Sequence, residues 1–269
     1  MRSFLAPVAF TLLGLTITGC SNADPTKSQD NSMTATAPAS GEATTIVERN
    51  ANNRLKETLA KNLQAAGIKA EVTAVRATEV PNLYWISLKG MPSVYATQDG
   101  KYVFQGDLVR LDKDRVHNVS EDLQAIDTKA LLATVDPQTL ITYKASTPAT
   151  KAVVYVFTDA SCPYCHKLHE HMAEINAKGI EVHYLAWPRG DQFLPLMNAI
   201  WCSEDRAAAF DTAIKGLPVN APQCNNAVMT HQKLGVQIGV NGTPAIYAEN
   251  GKYVGAYMTA SQLAQQLGL

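Results

Sequence analysis

The stretch FTDASCPYCHKL, Phe157 to Leu168, indicates how the second half of the chain folds. It continues a run of apolar and β-branched residues, Ala152 to Thr158, that is typical of a central strand buried on both faces. Residues compatible with a helix follow from Tyr164 to Ala177. The sequence therefore places Cys162 and Cys165 at the junction between a buried strand and a helix.

Two cysteines at the start of a helix are suited to thiol chemistry. The first turn has unpaired N–H groups and the positive end of the helix dipole, which together favour an anion. Such a position lowers a cysteine pKa from about 8.5 to about 3.5–7.5. We therefore expect Cys162 to be an accessible thiolate nucleophile and Cys165, one turn further on, to be the resolving thiol. Pro163 suits the first helical turn because it has no N–H to leave unpaired.

Three other interpretations of this pair remain open. A zinc site needs two more ligands, and no second close cysteine pair exists, although His166, His169 and His171 are nearby. A structural disulfide is also possible, but the chain-entropy model gives only about 1.9 kcal/mol for this short loop, against about 3.4 kcal/mol for a loop from Cys202 to Cys224. The third interpretation is an accidental pair.

The start of the chain indicates export. Arg2 precedes an apolar run, Phe4 to Leu15, that is too short to span a bilayer, and small residues follow at Ile17 to Cys20. This resembles a bacterial lipoprotein signal in which Cys20 becomes the lipidated first residue, and Ser21 resembles the pattern sent to an outer membrane. The alternative is an ordinary secretory signal with a chance cysteine. Both export the chain to an oxidising compartment, where cysteine pairs persist.

The cysteine count is informative once Cys20 is set aside. Four of the five cysteines remain, an even number that permits three pairings. Nearness in sequence suggests Cys162 with Cys165 and Cys202 with Cys224.

The composition is that of a globular protein of about two domains. The chain has 269 residues, of which 46% are hydrophobic and 17% charged, with a net charge of −1. It has no dense cluster of Lys and Arg, which argues against a nucleic-acid surface because such binding neutralises many phosphates.

The sequence of the first half of the chain predicts a flexible tether followed by a small α+β domain. After the signal, residues 1–20, comes a polar segment without periodicity, residues 21–44, that we expect to be a flexible tether. Apolar residues at helical spacing predict a helix from Val47 to Ala66, and β-prone runs follow, two of them joined by the hairpin signal Asp99-Gly100. Residues 45–112 are therefore expected to pack one helix on an antiparallel sheet, whose exposed edges favour dimerisation.

A helical linker is expected at residues 113–137. Asn118 and Ser120 with Glu121 can cap its helix, which is predicted to end before Pro137. The apolar face is expected to consist of Leu123, Ile126, Ala130 and Leu131. This helix can serve as a rigid strut or belong to either core.

The remaining residues, 138–269, alternate in the α/β manner. A second strand is predicted from Ile180, a helical stretch from Asp191 to about Val240, and then two further β-prone runs and a short terminal helix. This order resembles a thioredoxin fold with a helical insertion. Thr243-Pro244 precedes one of the β-prone runs, where a proline marks an edge, a turn or a cis bond.

Together these motifs resemble the DsbC/DsbG family of periplasmic thiol:disulfide interchange proteins. The resemblance rests on FTDASCPYCHKLHE, on the cysteines of AIWC and APQC, and on LGVQIGVNGTPA. It implies an α/β thioredoxin-like domain with a helical insertion, preceded by a small α+β, cystatin-like dimerisation domain and a linker helix. The molecule would then be a V-shaped homodimer whose cleft holds misfolded chains.

The resemblance also implies roles for individual residues. Cys162 and Cys165 would be the redox pair, and Cys202 with Cys224 a structural bridge. The substrate-binding residues would be Pro163, Tyr164, Thr243 and Pro244, the last two forming a cis-proline loop. No metal and no cofactor is expected.

Two positions depart from the family patterns. Pro163-Tyr164 resembles the DsbG branch, whereas the second cysteine pair resembles DsbC, so the branch stays open. Thioredoxins carry a buried acid six residues before the first cysteine, and Val156 occupies that position here. The proton of Cys165 must therefore leave by another route, for which Glu170 is one candidate.

The expected activity is disulfide isomerisation or reduction in exported proteins. The redox pair must then be kept reduced, and the resemblance suggests a DsbD-type membrane reductase as the electron donor. The alternatives are a DsbG-like reductase of sulfenylated cysteines and a dimeric periplasmic chaperone without redox turnover. A simple oxidase is disfavoured only by the dimerisation segment. The expected location is the periplasm, with a lipid anchor in the outer membrane.

Overall fold

The computed structural model describes the backbone of residues 40–269 and the side chains of residues 48–269. The predicted signal, Cys20 and most of the predicted tether lie outside the described residues. The first helix, α1, spans Ser40–Ala65 and so begins earlier than the predicted Val47. The last residues of the expected tether, 40–44, are therefore helical.

Helix α1 packs on a small antiparallel sheet, which confirms the predicted architecture of this region. The sheet has the order β1-β2-β3-β4. Its strands are β1 (Val72–Ala77), β2 (Leu83–Leu88), β3 (Met91–Thr97) and β4 (Val103–Phe104). Leu55, Leu59 and Leu63 of α1 are buried in one apolar cluster with residues of the sheet. At the predicted turn, Gly100 has a φ of +65° and donates its N–H to the carbonyl of Thr97.

A two-stranded hairpin and a helix connect this sheet to the rest of the chain. The hairpin consists of β5 (Val109–Leu111) and β6 (Val116–Asn118), and helix α2 (Val119–Leu132) follows at once. The Asn118 side chain accepts the N–H of Glu121, so the cap forms as predicted. The predicted apolar face is wrong at Ile126, which is 49% exposed, and at Ala130, which is also exposed.

The side of α2 that packs against the N-terminal sheet is determined by a buried carboxylate and not by Ile126. Asp127 Oδ2 accepts hydrogen bonds from Trp85 Nε1 at 2.7 Å, Ser87 Oγ at 2.7 Å and Ser93 Oγ at 3.0 Å. Arg76 lies 3.4 Å from Asp127 Oδ1. Because this side chain turns toward the sheet, its neighbour Ile126 turns toward solvent. The linker helix is therefore part of the core of the N-terminal sheet.

The second half of the chain forms a five-stranded sheet with helices on both faces. Its strands have the order β11-β10-β8-β9-β7, in which only β8 and β9 are parallel. The first elements are a 3₁₀ turn (Pro137–Thr139), β7 (Ile141–Tyr143), β8 (Ala152–Thr158), α3 (Pro163–Glu170), α4 (Met172–Ala177) and β9 (Ile180–Ala186). Then come a 3₁₀ turn (Asp191–Phe193), α5 (Leu194–Cys202), α6 (Arg206–Ile214), α7 (Val228–Ile238), β10 (Ala245–Ala248), β11 (Tyr253–Gly255) and α8 (Ala260–Gln266).

Strand β8 is central and feeds directly into the cysteine loop. Val154 and Val156 face one apolar cluster and Phe157 faces another, so the strand is buried on both sides as predicted. The expected helical stretch from Asp191 to Val240 is instead three helices, because an irregular segment that contains Pro218 and Pro222 separates α6 from α7.

The five-stranded sheet also packs against the linker helix. Gly251, in the turn between β10 and β11, has a φ of +87°, and a Cβ built on it would lie 2.0 Å from the carbonyl oxygen of Ala125 in α2. On the other side, Gln237 of α7 donates to the carbonyl of Leu88 at 3.3 Å. Within residues 40–269, no helix is both long and apolar enough to cross a membrane.

We predict that Asp127→Ala lowers the free energy of unfolding by about 2–4 kcal/mol, since the buried donors on the sheet lose their acceptor. The measurement is urea unfolding followed by circular dichroism. Asp122→Ala, on the same helix but with its side chain 48% exposed, is the matched control. It should cost less than about 1 kcal/mol. Equal stability of the two variants would contradict the role of Asp127.

Candidate active site

The backbone holds Cys162 at the start of α3. Cys162 is the N-cap residue and Pro163 is the first helical residue. The N–H of Cys162 donates to the carbonyl of Asp159 at 2.9 Å, and the carbonyl of Cys162 accepts the N–H of His166 at 3.1 Å. The sulfur therefore projects from a short turn that leads from the central strand into the helix.

A distant segment of the chain covers this sulfur. Cys162 Sγ lies 3.2 Å from the carbonyl oxygen of Thr243, and the Thr243–Pro244 peptide bond is cis. Both Cys162 and Cys165 are free thiols, and they are only 2% and 1% exposed. The expectation of an accessible sulfur at Cys162 is thus wrong for this conformation, because the segment at Thr243 lies against it.

The two sulfurs have pKa values displaced in opposite directions. The pKa of Cys162 is lowered from 9.0 to about 5, chiefly by a hydrogen bond from the Cys165 thiol. The N–H groups of Cys165 and Tyr164 lower this pKa further, while burial raises it. Burial raises the pKa of Cys165, and its bond to Cys162 raises it further. Cys162 can therefore be a thiolate at neutral pH while Cys165 stays protonated.

An apolar surface lies next to the covered sulfur. Pro163 is exposed and Tyr164 is 57% exposed, with its ring 6.1 Å from that of Tyr257. Lys167 Nζ lies 5.3 Å from the centre of the Tyr164 ring. Exposed rings beside a reactive sulfur offer contact area to an unfolded chain.

An ion pair between a buried carboxylate and a partly exposed arginine holds the loop before Cys162, and it was not predicted from the sequence. The Asp159 side chain is fully buried and lies 3.3 Å from Arg189 Nε. Asp159 Oδ1 accepts the N–H of Ser161 at 2.8 Å and its hydroxyl at 2.7 Å. Arg189 Nη2 also donates to the carbonyl of Ser161 at 3.1 Å. The Asp-x-Ser sequence, which favours such side-chain turns, was the available signal.

The three histidines near the cysteine pair have separate partners. His166 Nε2 lies 2.7 Å from the carbonyl of Ala160, His169 lies in the core, and His171 Nδ1 lies 3.4 Å from Glu174. In the part of the chain that the structure describes, no three potential metal ligands converge. These contacts do not favour the zinc interpretation.

The second cysteine pair forms a disulfide in the structure. It joins Cys202 at the end of α5 to Cys224 in the irregular segment before α7, with a Cα–Cα distance of 5.6 Å. A cross-link over a loop of this length limits the freedom of the unfolded chain more than one between Cys162 and Cys165 would.

Glu170 does not fit the role of proton acceptor for Cys165. It is exposed, and as the fifth residue after Cys165 it lies about 140° around the helix from that side chain. Val156 is buried at the position where thioredoxins have an acid.

Comparisons with known proteins show which family the chain is similar to. The family model of a thioredoxin-like domain matches residues 140–269, and that of the disulfide bond isomerase protein N-terminal domain matches residues 33–121. The thiol:disulfide interchange protein DsbC of Salmonella typhimurium is 38% identical over 201 residues, which cover 74% of this chain and 81% of that protein. DsbC of Escherichia coli K12 is 40% identical over 177 residues, covering 65% of this chain and 72% of that protein.

Solved structures of similar proteins also exist. A disulfide interchange protein from Neisseria gonorrhoeae has 28% sequence identity and a TM-score of 0.43. The match covers 49% of this chain and 94% of that one.

We predict that the Cys162 thiolate forms with a midpoint near pH 5 in the reduced protein. Because the pKa is depressed, the thiolate is present above this pH and lost below it. The contribution of Cys162 to the stability of the reduced fold is complete above pH 9.0 and is lost as the pH falls toward 5. The measurement is the ultraviolet absorbance of the thiolate during a pH titration.

Two variants test the assignment of this titration. Cys162→Ser should abolish the absorbance step. Cys165→Ala should move the midpoint to higher pH, since the thiolate loses its strongest hydrogen bond. An unchanged midpoint in Cys165→Ala would contradict the assigned cause.

Proposed function

Because the chain belongs to the DsbC family of thiol:disulfide interchange proteins, we propose that Cys162 and Cys165 are the redox pair through which it isomerises disulfides in exported proteins. The observation that carries the proposal is the opposite displacement of the two pKa values. One sulfur is a nucleophile at neutral pH, and the other keeps its proton until it is needed.

The reaction begins at Cys162. Its thiolate attacks one sulfur of a substrate disulfide, that S–S bond breaks, and a mixed disulfide forms while the other substrate sulfur leaves as a thiolate. A second substrate thiolate then attacks the substrate sulfur of the mixed disulfide. This step restores the Cys162 thiolate and leaves a rearranged substrate, with no net change in electrons.

Reduction is the branch that uses Cys165. Its sulfur attacks Cys162 Sγ, the mixed disulfide breaks, and the substrate leaves with both sulfurs reduced while Cys162 and Cys165 become a disulfide. Two electrons must then come from another protein. We assign this role to a DsbD-type membrane reductase.

The substrate would bind at the segment that covers Cys162. Thr243 and Pro244 lie against the sulfur, and Pro163 with Tyr164 form the exposed surface beside it. A peptide that displaces the Thr243 carbonyl from its 3.2 Å contact gains access to the sulfur. We assign Cys202 and Cys224 a structural role, since their bond closes the loop before α7.

We propose that the protein is a homodimer through its N-terminal domain, with domain boundaries at residues 45–112, 113–137 and 138–269. Strand β4 is an edge of the sheet, and its residues Val103 and Phe104 are exposed, as is Tyr102 just before it. Thr97 donates its N–H to the carbonyl of Tyr102, and Val103 is opposite Ala96. Because antiparallel pairs alternate, the N–H and carbonyl of Val103 face away from β3 and are free to bind a second strand.

The N-terminal sequence, which lies outside the described residues, supports export. We propose that the signal within residues 1–20 is cleaved before Cys20, that Cys20 is lipidated, and that the protein works in the periplasm, anchored to the outer membrane. There the substrates are exported proteins whose disulfides have formed wrongly.

A second candidate activity is the reduction of sulfenylated cysteines. It is favoured by the Pro163-Tyr164 dipeptide, which resembles the DsbG branch. In this reaction Cys162 attacks the sulfenic sulfur and displaces water, and Cys165 resolves the mixed disulfide that forms. Rates on a sulfenylated protein and on a scrambled disulfide protein, compared for the same preparation, separate the two activities.

We predict that catalytic amounts of the reduced protein accelerate the recovery of a scrambled multi-disulfide protein, and that Cys162→Ser removes this acceleration. Cys165→Ser leaves the isomerisation route open but blocks the reductive one, so its mixed disulfides should accumulate. Full retention of activity in Cys162→Ser would reject the mechanism. A chaperone would be favoured if Cys162→Ser kept full activity and the Cys162→Ser, Cys165→Ser double variant still suppressed aggregation.

We predict that Val103→Pro weakens the dimer, because proline removes the outward N–H and its ring obstructs an approaching strand. The bonds between β3 and β4 do not use that N–H, so the monomer should stay folded. Sedimentation at several protein concentrations gives the dissociation constant. Leu217→Lys replaces an exposed apolar residue of the thioredoxin-like domain and is the control. Equal dimer stability in both variants would overturn the assigned edge.

A further inference from the structure

A row of aromatic side chains runs along α3, away from Cys162. Tyr164 lies in the first turn of this helix, and His171 follows its last residue, about two turns further on. The ring of Tyr257 lies between them, with its centre 6.1 Å from that of Tyr164 and 6.4 Å from that of His171. We call Tyr164, Tyr257 and His171 the aromatic row.

The inner part of the aromatic row is fixed by the fold. Tyr257, in the segment between β11 and α8, is half-buried and packs against the apolar cluster beneath α3. Its hydroxyl lies 3.4 Å from His171 Nε2, and His171 Nδ1 lies 3.4 Å from Glu174. Side chains that are already ordered lose little conformational entropy when a ligand binds. The aromatic row is therefore suited to bind a partner.

The outer end of the aromatic row offers two kinds of contact to an aromatic ring. Tyr164 is 57% exposed, and Lys167 Nζ lies 5.3 Å from the centre of its ring. An incoming ring can pack against Tyr164 and can also contact the ammonium group of Lys167. An aliphatic side chain gains only the packing. An acidic side chain would meet the negative charge of Glu174 at the far end of the row.

The mixed disulfide brings a client chain to this surface. While Cys162 is bonded to a client sulfur, residues two or three positions from the client cysteine lie within about 7–11 Å of it along an extended chain. Tyr164 is two residues from Cys162 and exposes its ring beside that sulfur. A client side chain at such a position can therefore reach the aromatic row without any change in the fold.

We propose that the aromatic row binds an aromatic side chain of the client, two or three residues from the client cysteine that bonds to Cys162. This proposal rests on the redox role of Cys162. The row lies apart from the Thr243 segment that covers the sulfur, and it adds Tyr257 and His171 to the client-binding surface. It makes these two side chains specificity-determining residues.

The chemistry of the aromatic row selects for misfolded chains. Folded proteins bury most of their large aromatic side chains, so a cysteine flanked by an accessible ring is a mark of a chain that has not reached its native packing. Binding through the aromatic row therefore favours client disulfides in such chains over exposed disulfides of native proteins. The client class is defined by what lies next to the cysteine.

The test uses the full reduced protein and two synthetic peptides in stopped flow. Each peptide has one cysteine, activated as a mixed disulfide with thionitrobenzoate, and has either phenylalanine or alanine two residues away on both sides. The Cys162 thiolate bonds to the peptide sulfur, the S–S bond breaks, and thionitrobenzoate leaves with the electron pair and is seen by its absorbance. The selectivity is the rate constant for the phenylalanine peptide divided by that for the alanine peptide.

The unmodified protein should show a selectivity of about threefold to tenfold. Tyr164→Ala and Tyr257→Ala should each lower it to within about twofold of unity, because the row then lacks a ring. Tyr257→Phe keeps the ring and should keep the selectivity. Both peptides react at the same sulfur, so damage to the nucleophile cancels in the ratio. Since Tyr164 is exposed, its variant keeps the test valid if Tyr257→Ala does not fold.

Tyr253→Ala is the matched control. Tyr253 is 56% exposed, nearly as much as Tyr164, but its ring lies 5.3 Å from that of Tyr247, which belongs to the other apolar cluster of this domain. The selectivity of this variant should equal that of the unmodified protein. An equal loss in Tyr253→Ala would overturn the proposal, since any exposed tyrosine would then have the same effect.

Three further results would overturn the assignment. The first is a selectivity near unity in the unmodified protein, and the second is an unchanged selectivity in both Tyr164→Ala and Tyr257→Ala. The third is a changed dimer dissociation constant in these variants with the selectivity unchanged, because a second copy of the chain would then cover the row. Failure of the redox role looks different: neither peptide would release thionitrobenzoate faster than it does with Cys162→Ser.

Discussion

The hydrogen bond between the two sulfurs at the start of α3 is the interaction on which the proposed chemistry depends. It is the largest cause of the lowered pKa of Cys162, and it adds to the rise that burial produces in the pKa of Cys165. The N–H groups of the first helical turn add to the effect on Cys162, as expected where a helix begins with unpaired donors. Burial alone would raise both pKa values and leave two unreactive thiols.

The remainder of the fold keeps that geometry in place. The ion pair of the buried Asp159 with Arg189 holds the turn before Cys162, and the central strand β8 fixes where the turn begins. On the other side, the carbonyl oxygen of Thr243, whose peptide bond to Pro244 is cis, lies 3.2 Å from the sulfur. The same carbonyl covers the sulfur, so access to Cys162 depends on this segment of backbone.

The linker helix α2 does more than connect the two halves of the chain, because it packs against both sheets. Its carboxylate, Asp127, ties it to the N-terminal sheet, and the missing side chain of Gly251 lets the second sheet approach it closely. Loss of the Asp127 carboxylate, or a larger side chain in place of Gly251, would change the position of the helix. The N-terminal sheet, the linker helix and the thioredoxin-like domain are therefore packed together through α2.

Local sequence determined the elements whose cause is local. Four features follow from neighbouring residues and were predicted: the apolar run of β8, the cysteine pair at a helix start, the Asp99-Gly100 turn and the Asn118 cap. Tertiary structure alone decided the exposure of Ile126, the burial of Cys162 and the ion pair of Arg189 with Asp159. Each depends on partners tens of residues away, whose approach no local pattern encodes. A buried polar group is stabilised only by the donors and acceptors that the finished fold brings to it.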